Sequence, residues 1–169
     1  MLAEADSQVL EMTGQKPATH AIVPCGAGSV AEAVTAHYKA PGREARATII
    51  AVEPTHAAGL HESMKADKSV AVQTEETIMN GMNCGTLSTT AWPVLQSGID
   101  VSTTVSDVEA HAAVQELTAA GISAGPCGAA ALAALRRACA DAKEESGLDS
   151  NSVVVLYCTE GSREYPIPT

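Results

Sequence analysis

The sequence predicts an α/β fold, a three-layer α/β/α arrangement around a mostly parallel sheet, in one domain over residues 1–169. Three observations predict it. Strand-like and helix-like segments alternate along the chain, which means β-α-β units. The strand-like segments are short apolar runs such as Ala-Thr-Ile-Ile-Ala-Val at 47–52, typical of parallel strands covered on both faces. No internal repeat, low-complexity linker or shift in composition marks a domain boundary.

Ala3 to Met12 has helical spacing and ends at Gly14. His20 to Pro24 reads as a buried strand and runs straight into Cys25-Gly26-Ala27-Gly28-Ser29. A helix is expected from Val30 to Lys39, stopped by Pro41-Gly42. After the strand at 47–52, Glu53-Pro54 closes the run and Thr55 caps a helix reaching about Ala66. Glu75 to Ser88 breaks the rhythm with the turn formers Asn80-Gly81-Met82-Asn83-Cys84-Gly85. A helix from Thr89 to Ser97 and a strand from Ile99 to Val105 follow. Ser106-Asp107-Val108-Glu109 is a capping box, and Gly121 ends the helix it opens. A second glycine loop, Ser123 to Gly128, precedes an alanine-rich helix from Ala129 to about Glu145. Val153 to Tyr157 is the last strand, and the tail with Pro166 and Pro168 is irregular.

With 46% hydrophobic and 18% charged residues in 169, the chain is not disordered. It has no Phe and only 2% aromatics, so Ala, Val, Ile and Leu must build the core. Such a core buries little area per residue, which counts against an independently stable monomer. The net charge of -10 repels polyanions and excludes nucleic acid and acidic membrane surfaces as partners. No apolar run reaches membrane-spanning length, and the acidic amphipathic N-terminus differs from secretory and mitochondrial leaders, so a cytoplasmic location is expected. Five cysteines at irregular spacings, without a C-x-x-C pair, argue against a disulfide framework or a zinc site. Cys139 and Cys158 read as small buried hydrophobes.

Three segments could carry chemistry. Gly26-Ala27-Gly28-Ser29, between a strand and a helix, has the makings of a phosphate cradle: close backbone approach, free helix N–H groups and a hydroxyl. It is neither a Walker loop nor a full dinucleotide fingerprint, and a tight turn needing glycine is the competing reading. Pro126-Cys127-Gly128-Ala129 puts a thiol at a helix start, where it can hydrogen-bond a ligand nitrogen or serve packing. The loop from Thr77 to Ser88 is shaped by Gly81, Asn83 and Gly85. The five histidines (His20, His37, His56, His61, His111) have no motif tying them to Cys127 and read as core or surface residues.

The order of these pieces resembles the tryptophan synthase β-like family of pyridoxal-phosphate (PLP) enzymes, fold type II. The resemblance is carried by Thr19 to Pro24, Gly26 to Ser29, Ile50 to Pro54, Thr77 to Thr86, Ala91 to Leu95, Val105 to Asp107 and Ser123 to Ala130. It is strongest over 19–137 and is most similar to the diaminopropionate ammonia-lyase branch. It implies a partial fold type II large domain, the C-terminal portion, that binds pyridoxal 5'-phosphate. Gly26, Ala27, Gly28, Ser29 and Val30 would hold the phosphate, Gly81 and Met82 would lie along the ring, and Cys127, with Gly128 beside it, would face the pyridine nitrogen. Glu53 would close a core strand near the site.

In the family the Schiff-base lysine precedes the glycine loop, and none of Lys16, Lys39, Lys65, Lys68 or Lys143 matches that position, so no catalytic residue is assigned. The resemblance thus implies a PLP-dependent lyase-family protein whose chemistry is β-elimination of ammonia from a diamino acid such as 2,3-diaminopropionate. The alternative is a non-catalytic paralogue that binds PLP, phosphate or a partner without turnover. A small-molecule amino acid is the expected substrate if the chain is active. Homo-oligomerisation or association with a full-length homologue is the expected assembly. A cysteine-based enzyme using Cys127 or Cys84 is a third reading, without a base motif to support it.

Overall fold

Apolar runs such as Ala-Ile-Val at 21–23 and Ile-Ile-Ala-Val at 49–52 are stable only where both faces are covered, and these two form the centre of a four-stranded sheet. The computed structural model describes residues 1–43, 45–141 and 143–169. Its strands are β1 (His20–Pro24), β2 (Thr48–Pro54), β3 (Val101–Val105) and β4 (Val154–Leu156). They lie in the order β3-β2-β1-β4, every pair parallel, with Ile22 opposite Ile50 on one side and Leu156 on the other. Successive residues alternate between faces. Ala21, Val23, Ile49 and Ala51 point into one core, with residues of α2 (Ser29–Tyr38) and α4 (Trp92–Gly98). Ile22, Ile50 and Val52 point into the other, with α5 (Asp107–Ala119) and α6 (Pro126–Asp141). The three-layer α/β/α expectation is met, and both cores are aliphatic and alanine-rich as the composition requires.

The N-terminal helix α1 (Leu2–Thr13) contains no fully buried residue. Leu2 and Val9 rest on the α2–α4 core, and Asp6 ties the helix down by accepting from Arg43 at 2.9 Å and pairing with His37 at 2.8 Å. Gly14, at φ 66, closes α1 where the sequence places its end.

Helix α3 (Gly59–Ala66) departs from expectation. Thr55 does not cap it, because the Thr55 N–H continues the ladder by donating to Val105 at 2.9 Å. The cap comes from Glu53 instead: its carboxylate accepts from the Leu60 and His61 N–H groups, both at 2.7 Å. Strand β2 accordingly runs through Glu53 and Pro54 rather than stopping before them. The capping box is present as read, with Ser106 N–H donating to Glu109 at 2.7 Å and Glu109 N–H returning to Ser106 at 3.3 Å.

Helix α6 starts at Pro126, so Cys127 and Gly128 belong to its first turn. It is described to Asp141 and α7 over Lys143–Ser146, and residue 142 of the expected 129–145 helix lies outside the described residues. Cys139 and Cys158 are exposed, not buried. Cys139 falls on the solvent side of α6, and Cys158 lies two residues beyond the end of β4.

The β3 edge is closed by side chains. Ser102 and Thr104 alternate away from β2; His61 Nδ1 is hydrogen-bonded to the Ser102 carbonyl at 3.1 Å, and Arg137 donates to the Thr104 carbonyl at 2.7 Å. These contacts blunt an edge that would otherwise template another strand. Among the described residues no helix is long and apolar enough to cross a membrane.

Candidate functional site

The chain order defines where a ligand belongs in this sheet. From β1 the chain steps outward to β2 and β3, then returns across the sheet to add β4 on the opposite side of β1. Strand order reverses between β1 and β4, and in open α/β sheets ligands settle at such a point, beyond the carboxyl ends of the strands. A cavity of about 440 Å³ opens there, lined by Pro24, Gly26, Ala27, Gly28, Ser29, Val30, Gly81, Met82, Cys84, Cys127, Thr159 and Glu160.

Both glycines of the first loop are there for space. A Cβ on Gly26 would come within 3.0 Å of the Gly81 carbonyl oxygen, and one on Gly28 within 3.0 Å of Leu95. Gly28 also sits at φ +106, a conformation that side chains rarely adopt. As the residue before α2, it turns the chain so that the helix begins at Ser29 with no side chain capping its first N–H groups. Those amides and the positive end of the helix dipole face the cavity, which suits them to an anion. Ala27, Ser29 and Val30 are exposed, so the approach is open.

The opposite wall is built from the 80–82 turn and the start of α6. A Cβ on Gly81 would lie 3.4 Å from the Cys127 sulfur, so the two walls meet closely. Burial raises the Cys127 thiol above its ordinary range, the Glu160 carboxylate raises it further, and the Gly81 amide opposes the rise. Cys127 therefore stays a neutral thiol, a hydrogen-bonding group rather than a nucleophile. Burial pushes up the Cys25 thiol as well. The cysteine-nucleophile reading thereby loses Cys127 as an activated thiol. Gly128 stands outside the lining: a Cβ there would meet Cys158 Sγ and the Glu160 carbonyl oxygen at 2.7 Å, so its glycine lets the segment after β4 lie on α6.

Sequence reasoning missed Pro24, Cys84, Thr159 and Glu160 as lining residues. The last two reach the cavity only because β4 pairs with β1, a contact between the ends of the chain that no local pattern announces. Glu53, expected near the site, is committed to capping α3. Among the described residues no lysine lines the cavity: Lys39 pairs with Asp100 at 2.6 Å, Lys65 with Glu62 at 2.9 Å, Lys16 and Lys68 are exposed, and the side chain of Lys143 lies outside the described residues. A larger cavity of about 510 Å³ sits behind the 77–83 segment, but neither glycine loop lines it. The described residues include no cluster of three His, Cys, Asp or Glu fit to hold a metal.

A family profile described as pyridoxal-phosphate dependent enzyme matches residues 3–160. The chain belongs to that family. No curated protein matches it significantly. Among solved structures, the diaminopropionate ammonia lyase of Escherichia coli, in complex with an aminoacrylate–PLP azomethine reaction intermediate, is similar at a TM-score of 0.81 and 24% identity, over 95% of this chain and 43% of that one. The serine racemase of Dictyostelium discoideum is similar at a TM-score of 0.76 and 19% identity, over 96% and 49%. The L-serine ammonia-lyase of the fungus Rhizomucor miehei is similar at a TM-score of 0.75 and 22% identity, over 94% and 50%. At these identities the likeness establishes the fold, that of the fold type II pyridoxal-phosphate dependent enzymes. The chain spans about half the length of the solved structures it matches.

Proposed function

We propose that this chain is the phosphate-holding portion of a PLP-dependent lyase, acting in the assembled protein on a small amino acid by β-elimination of ammonia, with a 2,3-diamino acid such as 2,3-diaminopropionate as substrate. The observation that carries the cofactor assignment is the cradle at the switch point. Gly26 and Gly28 occupy positions a Cβ would fill, and the uncapped start of α2 opens into the same cavity. The substrate assignment rests on the family resemblance and on the likeness to the diaminopropionate ammonia lyase fold.

PLP bound there supplies an electron sink for bond cleavage at the carbons of an amino acid. The chain's own residues do the rest. The amides of Gly26 to Val30 hold the phosphate and the Ser29 hydroxyl donates to it. Met82 and Gly81 give the ring a close wall that excludes water, and the neutral Cys127 thiol hydrogen-bonds the ring nitrogen without charging it. The amino group needed for covalent attachment comes from another segment or a full-length homologue, since among the described residues no lysine lines the cavity.

That same observation favours the second reading, a binding paralogue without turnover. Titration of the chain with PLP, followed by absorbance, tests the cradle. Ser29→Asp is the informative variant, because aspartate suits the first turn of a helix yet puts negative charge where the phosphate sits. Saturable binding lost in Ser29→Asp supports the assignment, and equal affinity in both proteins refutes it. Borohydride reduction and intact mass then separate the two readings. A stoichiometric adduct on one lysine supports a lyase complete within the chain. No adduct, with ammonia release only after a full-length homologue is added, supports the complemented lyase. No release in either case leaves the binding paralogue.

A further inference from the structure

Two helix N-termini face the cavity, and they differ. The start of α2 carries no side-chain cap. The start of α6 is already filled: Cys127 N–H donates to the Glu160 carboxylate at 2.7 Å, and Arg163 Nε donates to the same carboxylate at 2.8 Å. Arg163 is itself anchored, donating to the Ile78 carbonyl and lying over the Tyr165 ring at 5.8 Å. The helix end is shaped around this carboxylate. A Cβ on Gly125 would fall 2.5 Å from Glu160 Oε2, and one on Gly128 would fall 2.7 Å from the Glu160 carbonyl oxygen. The Glu160 side chain is only 22% exposed, and the residue lines the cavity beside Thr159 and Cys127.

Resting on the reading that Gly26 to Val30 seat a phosphate, we propose that Glu160 is a built-in stopper that sets the polarity of the cavity. By occupying the α6 terminus it leaves one anion seat, at α2. The Cys127–Thr159–Glu160 wall, its Cys127 N–H and Arg163 already engaged by Glu160, then takes the uncharged end of a ligand. The ligand class selected is a phosphomonoester with an uncharged far end, and a molecule anionic at both ends finds no second seat because Glu160 already holds the α6 donors. Glu160 thus acts as a specificity-determining residue, and sequence reading passed it over because its partner Cys127 lies thirty-three positions away.

Calorimetric titration of the full 169-residue chain with inorganic phosphate tests this. The wild-type chain is expected to bind one phosphate. Glu160→Ala vacates the α6 terminus while leaving Cys127 N–H and Arg163 in place, and is expected to bind two. Adding Ser29→Asp to that variant removes one and leaves the other. A wild-type chain that binds two, or a Glu160→Ala chain that keeps the wild-type stoichiometry, overturns the stopper. A wild-type chain that binds none beside a Glu160→Ala chain that binds one overturns the cradle and upholds the stopper. Should Glu160→Ala unfold by circular dichroism, Glu160→Gln carries the test. Loss of the facing charge then tightens phosphate by about threefold or more, and unchanged affinity overturns the proposal.

Discussion

Glu53 ties fold stability to pH near neutrality. Its carboxylate is 1% exposed and accepts two helix N–H groups at 2.7 Å. Burial raises its pKa from 4.5 to about 7, against the pull of the two backbone bonds, and Glu62 adds to the rise. Between those values the folded chain holds a proton that the unfolded chain has released, so stability falls as pH rises through the interval. At about 1.4 kcal/mol per pH unit, the loss across the interval from 4.5 to about 7 is about 3 kcal/mol. His61 acts in the opposite sense: burial lowers its pKa from 6.5, so its contribution grows as pH rises through that region. Urea unfolding of the wild type and Glu53→Gln at pH 5, 6, 7 and 8 removes the shared His61 background. Glutamine cannot titrate, and one of the two amides then faces an NH₂ group, which costs about 1–3 kcal/mol throughout. The difference in stability between wild type and variant should shrink by about 3 kcal/mol from pH 5 to pH 8. Parallel curves across that range would refute the burial argument.

Gly28→Ala is expected to destabilise the chain by about 2 kcal/mol or more, because its φ of +106 strains any side chain and its Cβ would press on Leu95 and Ala91; a thermal melt reads this. Arg137→Ala removes the donor that closes the Thr104 carbonyl at the β3 edge, and concentration-dependent self-association in sedimentation velocity should increase.

The centre of the sheet was legible because β1 and β2 carry apolar runs bounded by turn formers: His20 to Pro24 has the bounds expected of it, and β2 differs by a residue at its start and two at its end. The capping box was legible for a related reason, since both partners lie within one turn. The α3 cap was not, because its acceptor belongs to a strand and reaches the helix through the fold. The glycine loop and the 80–82 turn were legible as the sides of a pocket. The third side, Thr159 and Glu160, depends on β4 docking beside β1. Cys139 was misread because an alanine-rich helix shows little contrast between its faces.

The pairing of the first strand with the last also orders events during synthesis. His20 meets Val154, so most of the chain must leave the ribosome before the sheet can gain its fourth member. Until then β1 waits with one side unladdered, and the growing chain has the glycine loop and the 80–82 turn but not the Thr159–Glu160 wall. Long-range parallel pairing of this kind is slow to form and leaves apolar strand edges open meanwhile. Closure of the cavity therefore waits on β4, and removal of the residues beyond Leu156 would take the Thr159–Glu160 wall with it.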